Sequence, residues 1–240
     1  MRIALIGYGK MGKTIEEIAI SRGHQIVIKS TSNEPISTFD MSEVDVAIEF
    51  TIPGLAVNHI QHCVLNNVPI VVGTTAWVNQ LEEVSNFIKQ NNGSLLHSSN
   101  FSIGVNIFFD INKRLAKLMS PYEEYRANVN EIHHTEKLDA PSGTAVTIAN
   151  DIMLENDRLT SWVHSENTSP KTSNSQIGVT SHREENVPGT HIVEYNSEID
   201  QIAIKHTAYN RKGFALGAVL AAEWIKSKKG VFTMQDVIKF

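Results

Sequence analysis

The densest group of chemically capable residues runs Glu131-Ile132-His133-His134-Thr135-Glu136-Lys137-Leu138-Asp139-Ala140-Pro141-Ser142-Gly143-Thr144-Ala145. An extended pattern over 124–132 leads into it, and a helical pattern over 142–154 leads out. Neighbouring histidines on a strand point to opposite faces, so His133 and His134 serve one site only where the strand ends. Three readings follow from the residue types. His133, His134 and Lys137 are cationic or donor groups, and Gly143 and Thr144 open a helix whose free N–H groups favour a carboxylate. A metal site could instead recruit the histidines with Glu136 or Asp139, but H-E-x-x-H spacing is missing and no cysteine joins in. The third reading is a solvated loop in which Ser142 caps a helix. No G-x-S-x-G surrounds Ser142, so it is not read as a nucleophile.

A second motif lies near the start. Gly7-Tyr8-Gly9-Lys10-Met11-Gly12 is G-x-G-x-x-G between an apolar run and a helical pattern. Gly7 suits a tight turn, Gly9 lets backbone approach a pyrophosphate, and Gly12 permits close packing of helix on strand. The helix start then offers N–H groups to phosphate. A glycine-rich turn without a ligand is the alternative. The phosphate-loop pattern G-x-x-x-x-G-K is absent, which disfavours a nucleoside triphosphatase. Where a carboxylate would receive a ribose 2′-OH, the chain offers Lys29-Ser30-Thr31, with no acid until Glu34. A lysine and hydroxyls suit a 2′-phosphate, so NADPH is expected, with NADH also accepted; Lys29 as a solvated strand end is the alternative.

The elements that must position these groups change character along the chain. Strands are predicted at 2–6, 25–29, 44–50, 68–72 and 94–97. Helices alternate with them: one with apolar spacing at Met11, Ile15, Ile18 and Ala19, stopped at Gly23, then 55–66 and 78–90. This alternation predicts a parallel sheet with helices on both faces. A helix is predicted at 105–118. Residues 165–175, rich in Ser, Thr and Asn, read as a loop, and 176–182, 190–195 and 201–207 as successive strands in an antiparallel or mixed sheet. Phe214, Ala218, Ala221, Ala222 and Ile225 form a closing helical stripe that returns to the first part. The expected fold is therefore α/β: a Rossmann-like parallel-sheet cofactor domain at 1–102 and 211–240, and an α+β substrate-binding and oligomerisation domain at 103–210.

Composition is ordinary for a folded soluble protein. The 240 residues are 41% hydrophobic and 20% charged, and the net charge is −5. A mildly acidic chain is a poor nucleic-acid coat, and no run reaches the ~20 apolar residues of a membrane span. The one cysteine, Cys63, cannot form an internal disulfide and falls in an apolar-periodic stretch, where packing is expected. With no leader-like apolar segment at the start, a cytoplasmic protein is expected.

The stretch Glu131 to Ala145 resembles the E-x-H-H-x-x-K-x-D-A-P-S-G-T-A signature of the dihydrodipicolinate reductase family. Val72-Gly73-Thr74-Thr75 is similar to its V-G-T-T segment near the nicotinamide. Ser99-Asn100-Phe101-Ser102-Ile103-Gly104-Val105-Asn106 is similar to its N-F-S-x-G-V-N segment, and Phe50-Thr51 to a cofactor-side F-T or F-S pair. The resemblance covers nearly the whole chain. It implies hydride transfer from NAD(P)H to a cyclic unsaturated dicarboxylate imine, dihydrodipicolinate. The product is tetrahydrodipicolinate, in diaminopimelate and lysine biosynthesis. By resemblance His133 donates a proton with Lys137 beside it, and His134, Lys137, Gly143 and Thr144 hold the substrate carboxylates. Gly7, Tyr8, Gly9, Lys10, Met11, Gly12, Phe50, Thr51, Gly73, Thr74, Thr75, Ser99, Asn100 and Phe101 are expected to contact the cofactor, as is Lys29 from its place at the end of the second strand. No metal is implied, and a homotetramer is. The chain departs from the family in a compressed segment between Lys29 and Val44, and in Glu185, where a small residue is common. No role is therefore carried onto the stretch from Arg183 to His191. A different Rossmann oxidoreductase acting on another carboxylate and a nucleotide-sensing module are the rival readings.

Overall fold

A computed structural model describes residues 1–238 and divides the chain into two units, Met1–Asn106 with Arg211–Phe240, and Ile107–Asn210. The first junction falls inside a helix.

In the first unit six parallel strands form one sheet: β1 (Arg2–Ile6), β2 (Gln25–Ser30), β3 (Val46–Glu49), β4 (Ile70–Val72), β5 (Ser94–His97) and β11 (Gly230–Phe232), in the order β11-β5-β4-β3-β1-β2. Alternate residues of β1 face opposite ways. Ala4 and Ile6 join Ile60, Cys63, Val64, Trp77 and Ile88 on one side. Ile3 and Leu5 join Ile15, Ala19, Ala218 and Ala222 on the other. The first core belongs to α2 (Pro53–Leu65) and α3 (Leu81–Gln90), the second to α1 (Lys10–Ser21) and α6 (Lys212–Ile225). Both faces are covered, so the strands read as unbroken apolar runs. Small residues let α6 lie close: a Cβ at Gly217 would stand 1.7 Å from the Phe101 carbonyl oxygen. Cys63 is buried, as its pattern predicts, and burial raises its thiol pKa, keeping it protonated.

The helix predicted from Val78 starts as a 3-10 turn, Val78–Gln80, with the α-helix proper from Leu81. The prediction contained no strand at 230–232. This three-residue edge strand pairs only with β5 and is too short to show a period.

The helix α4 (Ile103–Met119) carries the chain across the junction. The second unit holds β6 (Arg126–His133), α5 (Gly143–Leu154), β7 (Ser161–Glu166), β8 (Gln176–Arg183), β9 (Gly189–Asn196) and β10 (Gln201–Ala208). Its sheet is mixed, in the order β10-β9-β6-β8-β7. The pairs β6–β8 and β7–β8 are parallel, and β6–β9 and β9–β10 antiparallel. Ala145, Ile148, Ala149 and Ile152 of α5 pack on Val129, Val179, Val193 and Tyr195 of the sheet. The strand β7 corrects the predicted loop, which began at Ser165. It is a half-buried edge strand, and Asn167, at φ 61°, ends it in a turn. A short edge strand with one neighbour carries little alternation to read. A short helix, α7 (Met234–Val237), follows β11. Among the described residues no helix is long and apolar enough to cross a membrane.

Candidate active site

In the first unit the glycine loop joins β1 to α1. Gly7 has φ 96° and a built Cβ there would lie 2.1 Å from the Phe50 carbonyl oxygen, so side chains are excluded twice over. A Cβ at Gly12 would lie 2.4 Å from the Gly7 oxygen. Gly9, by contrast, has nothing within 4 Å of such a position. The outer glycines close the turn and the middle one leaves backbone open to a ligand.

That opening faces a cavity of about 330 Å³ lined by Gly9, Lys10, Met11, Phe50, Thr51, Pro53, Gly73, Thr74 and Thr75. All but Pro53 are among the residues named from sequence. Gly73 is needed because a Cβ would meet the Phe50 ring at 2.2 Å. Ser99, Asn100 and Phe101 do not line this cavity; they shape the turn after β5. The Asn100 side chain accepts the Ser102 N–H at 2.9 Å, and the Phe101 ring lies 5.8 Å from that of Phe50. Beneath the cavity sits Glu49, fully buried, which sequence reasoning passed over. Its Oε1 accepts the Thr51 and Thr74 hydroxyls, and the Thr74 hydroxyl in turn accepts the Thr51 N–H at 2.8 Å. Glu49 thus fixes two cavity-lining threonines.

Lys29 is already engaged. Its Nζ lies 2.6 Å from Glu16 Oε1 and 4.9 Å from the centre of the Tyr8 ring, while the Tyr8 hydroxyl donates to the same carboxylate. The hydrogen bond to Glu16 raises the Lys29 pKa, and that from Lys29 lowers the Glu16 pKa.

In the second unit β6 ends at His133, which meets the condition for adjacent histidines to share one site. Register then brings in residues from other strands. Glu131 pairs with Ser181 on β8 and with His191 on β9, and His191 pairs with His206 on β10. Two residues along, His133 pairs with Arg183. A Cβ at Gly189 would stand 3.1 Å from His133 Nε2, so any larger residue there would crowd that nitrogen.

Glu131 is wholly buried and joins these parts. Its Oε1 accepts the Ser142 N–H at 2.9 Å and the Ser181 hydroxyl at 2.6 Å. Its Oε2 lies 3.5 Å from His133 Nδ1 and 3.6 Å from His191 Nε2. Burial alone would raise the Glu131 carboxyl pKa. The contacts from His191, Ser142 and Ser181 outweigh it and hold the group below the usual carboxylate range. His133 is pushed down to about 4, chiefly by burial, then by His191, with Lys137 and Arg183 adding and Glu131 opposing.

Ser142 caps α5: its hydroxyl accepts the Ala145 N–H at 3.1 Å and meets His191 Nε2 at 3.2 Å. That leaves the first-turn N–H groups of Gly143 and Thr144 for an incoming anion. Lys137 follows His134 in a turn, its N–H donating to the His134 oxygen at 3.1 Å. Its Nζ pairs with Asp139 at 2.8 Å. Arg183 braces this loop by donating to the Lys137 and Asp139 carbonyls. His133, His134, Lys137, Gly143 and Thr144 therefore share one loop and helix start, as read from sequence. Glu131, Ser181, Arg183, Gly189 and His191 were missed as site residues. The period-two spacing of Ser181 and Arg183, and of Gly189 and His191, is the signal that marks a shared face.

Glu131, His133 and His191 place ligand-type atoms within 4.8 Å of one another. Two arguments weigh against a cation among them. One carboxylate oxygen is spent on two donors, and Arg183 and Lys137 add positive charge, a field that suits an anion.

Residues 1–101 match the family described as dihydrodipicolinate reductase, N-terminus, and residues 104–238 match dihydrodipicolinate reductase, C-terminus. The chain belongs to the dihydrodipicolinate reductase family. Membership makes it an oxidoreductase served by a pyridine nucleotide. It is 46% identical over 240 residues to the 4-hydroxy-tetrahydrodipicolinate reductase of Christiangramia forsetii, covering 99% of this chain and 98% of that one. It is 32% identical to the enzyme of that name from Thermosipho africanus, over 100% and 98% of the two chains. Among solved structures, dipicolinate-bound dihydrodipicolinate reductase from Paenisporosarcina sp. TG-14 shares the fold, with TM-score 0.74, 23% identity and 99% of each chain covered.

Proposed function

We propose that this chain reduces dihydrodipicolinate, formed from 4-hydroxy-tetrahydrodipicolinate, to tetrahydrodipicolinate in diaminopimelate and lysine biosynthesis. Bound NADPH, or NADH, supplies the hydride. The observation that carries the reading is His133, its Nε2 beside the side-chain-free Gly189, on one loop with Lys137 and the start of α5. Hydride addition forms a C–H bond and moves an electron pair through the conjugated imine, and a neighbouring carbon then takes a proton. His133 Nε2 gives that proton and the imidazole is left neutral. His134, Lys137 and the N–H groups of Gly143 and Thr144 hold the two carboxylates, charge-assisted contacts that contribute roughly 1.5–3 kcal/mol each.

In the unliganded protein burial holds His133 at about 4, so it is neutral near pH 7. A dicarboxylate beside it favours the imidazolium, so substrate brings the donor into its charged form. A general acid of this kind contributes on the order of 10²–10⁴ in rate.

In the first unit Gly7 to Gly12 receive the pyrophosphate, and Phe50, Thr51 and Gly73 to Thr75 the nicotinamide side, with Ser99 to Phe101 adjoining. The absence of a carboxylate over Lys29 to Thr31 favours NADPH and tolerates NADH. Lys29 meets a 2′-phosphate only if Glu16 yields it. The five-stranded sheet buries Ala127, Val129, Glu131 and His133 of β6 on one face and leaves Asn128, Asn130 and Ile132 half-covered on the other. That second face is the proposed contact in a homotetramer. A cytoplasmic setting agrees with the single buried thiol.

The test is oxidation of NADPH and NADH by purified protein, with substrate generated in place from pyruvate and aspartate semialdehyde and a control lacking the synthase. Substrate-dependent oxidation is expected. Cofactor binding without turnover would move the assignment to another substrate or to a sensor.

A further inference from the structure

The polar row that crosses β8, β6 and β9 holds two atoms whose burial the hydrogen-bond pattern leaves unexplained. Glu131 Oε2 and His133 Nδ1 are both buried and without a hydrogen-bond partner, and they face each other at 3.5 Å. Isolated, each would cost roughly 1–3 kcal/mol of desolvation. A closer approach by about 0.6–0.8 Å makes them a charge-assisted pair. The carboxylate cannot swing away, because Ser142 N–H and Ser181 Oγ hold its other oxygen. The imidazole is fixed on its far side by Gly189, next to Nε2, and edge-on by the His191 ring, whose centre lies 5.0 Å away at 70°.

We propose that Glu131 and His191 are positioning residues for the proton donor: Glu131 Oε2 holds the Nδ1 proton of His133, so that Nε2 carries the proton that is given up, and His191 competes for the same oxygen. This rests on the reading of His133 as the donor. When Nε2–H has passed its proton to the substrate carbon, the neutral Nδ1–H tautomer remains, still held by Glu131, and Nε2 regains a proton from solvent on its open side. A proton on His191 draws the Glu131 charge away from His133. Loss of His191 returns that charge. The other charged groups facing His133 are Arg183 on β8 and Lys137 beyond β6, with His206 on β10 behind His191.

The geometry therefore requires two neighbours of one imidazole to act with opposite sign. The experiment is the pH profile of kcat for the wild type, Glu131→Gln and His191→Gln, with nitrogen-15 NMR of the His133 ring in the unliganded wild type. Glu131→Gln keeps an acceptor for Ser142 and Ser181 but removes the charge. The high-pH limb of kcat is expected to move down by about one pH unit in Glu131→Gln and up by about half a unit in His191→Gln. NMR is expected to show the Nδ1–H tautomer. Limbs that stay in place or move in the same direction would overturn the inference. So would a dominant Nε2–H tautomer, which decides the matter even if Glu131→Gln fails to fold. His133→Gln separates the underlying reading: if it keeps wild-type kcat the donor role fails, and if it loses kcat while the neighbours leave the limb unmoved only the present inference fails.

Discussion

Replacing His133 by glutamine should change how stability depends on pH, quite apart from catalysis. The imidazole is 7% exposed and its pKa is held at about 4, against about 6.5 in an unfolded chain. Between those values the unfolded state binds the proton and the folded state does not. The contribution is therefore fully present above about pH 6.5 and is lost as pH falls through about 4. At about 1.4 kcal/mol per pH unit the full effect is about 3 kcal/mol. Glu131 has the ordinary carboxylate sign, with stability present above about pH 4.3 and lost below it, so its window lies lower. The assay is urea unfolding of wild type and His133→Gln at steps from pH 7 to pH 4. The wild type should lose about 2–3 kcal/mol more than the variant across that range. Parallel stability curves would show that burial does not hold His133 neutral, and the account of substrate-driven protonation would fall with it.

Four further outcomes follow from the structure. Dipicolinate binding near pH 7 should take up about one proton, read by calorimetry in buffers of different ionisation enthalpy, because two carboxylates raise the His133 pKa; no uptake would refute that coupling. Gly189→Ala places a methyl 3.1 Å from His133 Nε2 and should lower kcat on the order of tenfold while leaving NADPH affinity unchanged, measured by steady-state kinetics and fluorescence titration. Lys29→Glu should weaken NADPH more than NADH, and equal weakening would show that Lys29 does not read a 2′-phosphate. Glu16→Gln, which frees Lys29 from its partner, should shift the ratio towards NADPH.

The glycine loop, the apolar strands and the E-x-H-H to S-G-T-A stretch were legible because each is a local pattern. Gly7 to Gly12 sit on one turn, and His133, His134, Lys137, Gly143 and Thr144 lie within twelve positions of chain. The edge strands β7 and β11 were not legible. No residue of either is fully buried, so neither shows the alternation or the apolar run that marks a strand.

Sequence by itself determined the class of fold, the glycine loop and the loop that bears His133, since local spacing sets which side chains can share a turn or a helix start. Tertiary structure alone decided what surrounds His133. Glu131, Ser181 and His191 are 50 and 60 positions apart along the chain from the first to the others, yet they pair across adjacent strands. Strand order and register place them side by side, and both come from packing β6 between a parallel and an antiparallel neighbour. Burial is likewise a property of the packed sheet. It takes a histidine whose type predicts about 6.5 and holds it at about 4.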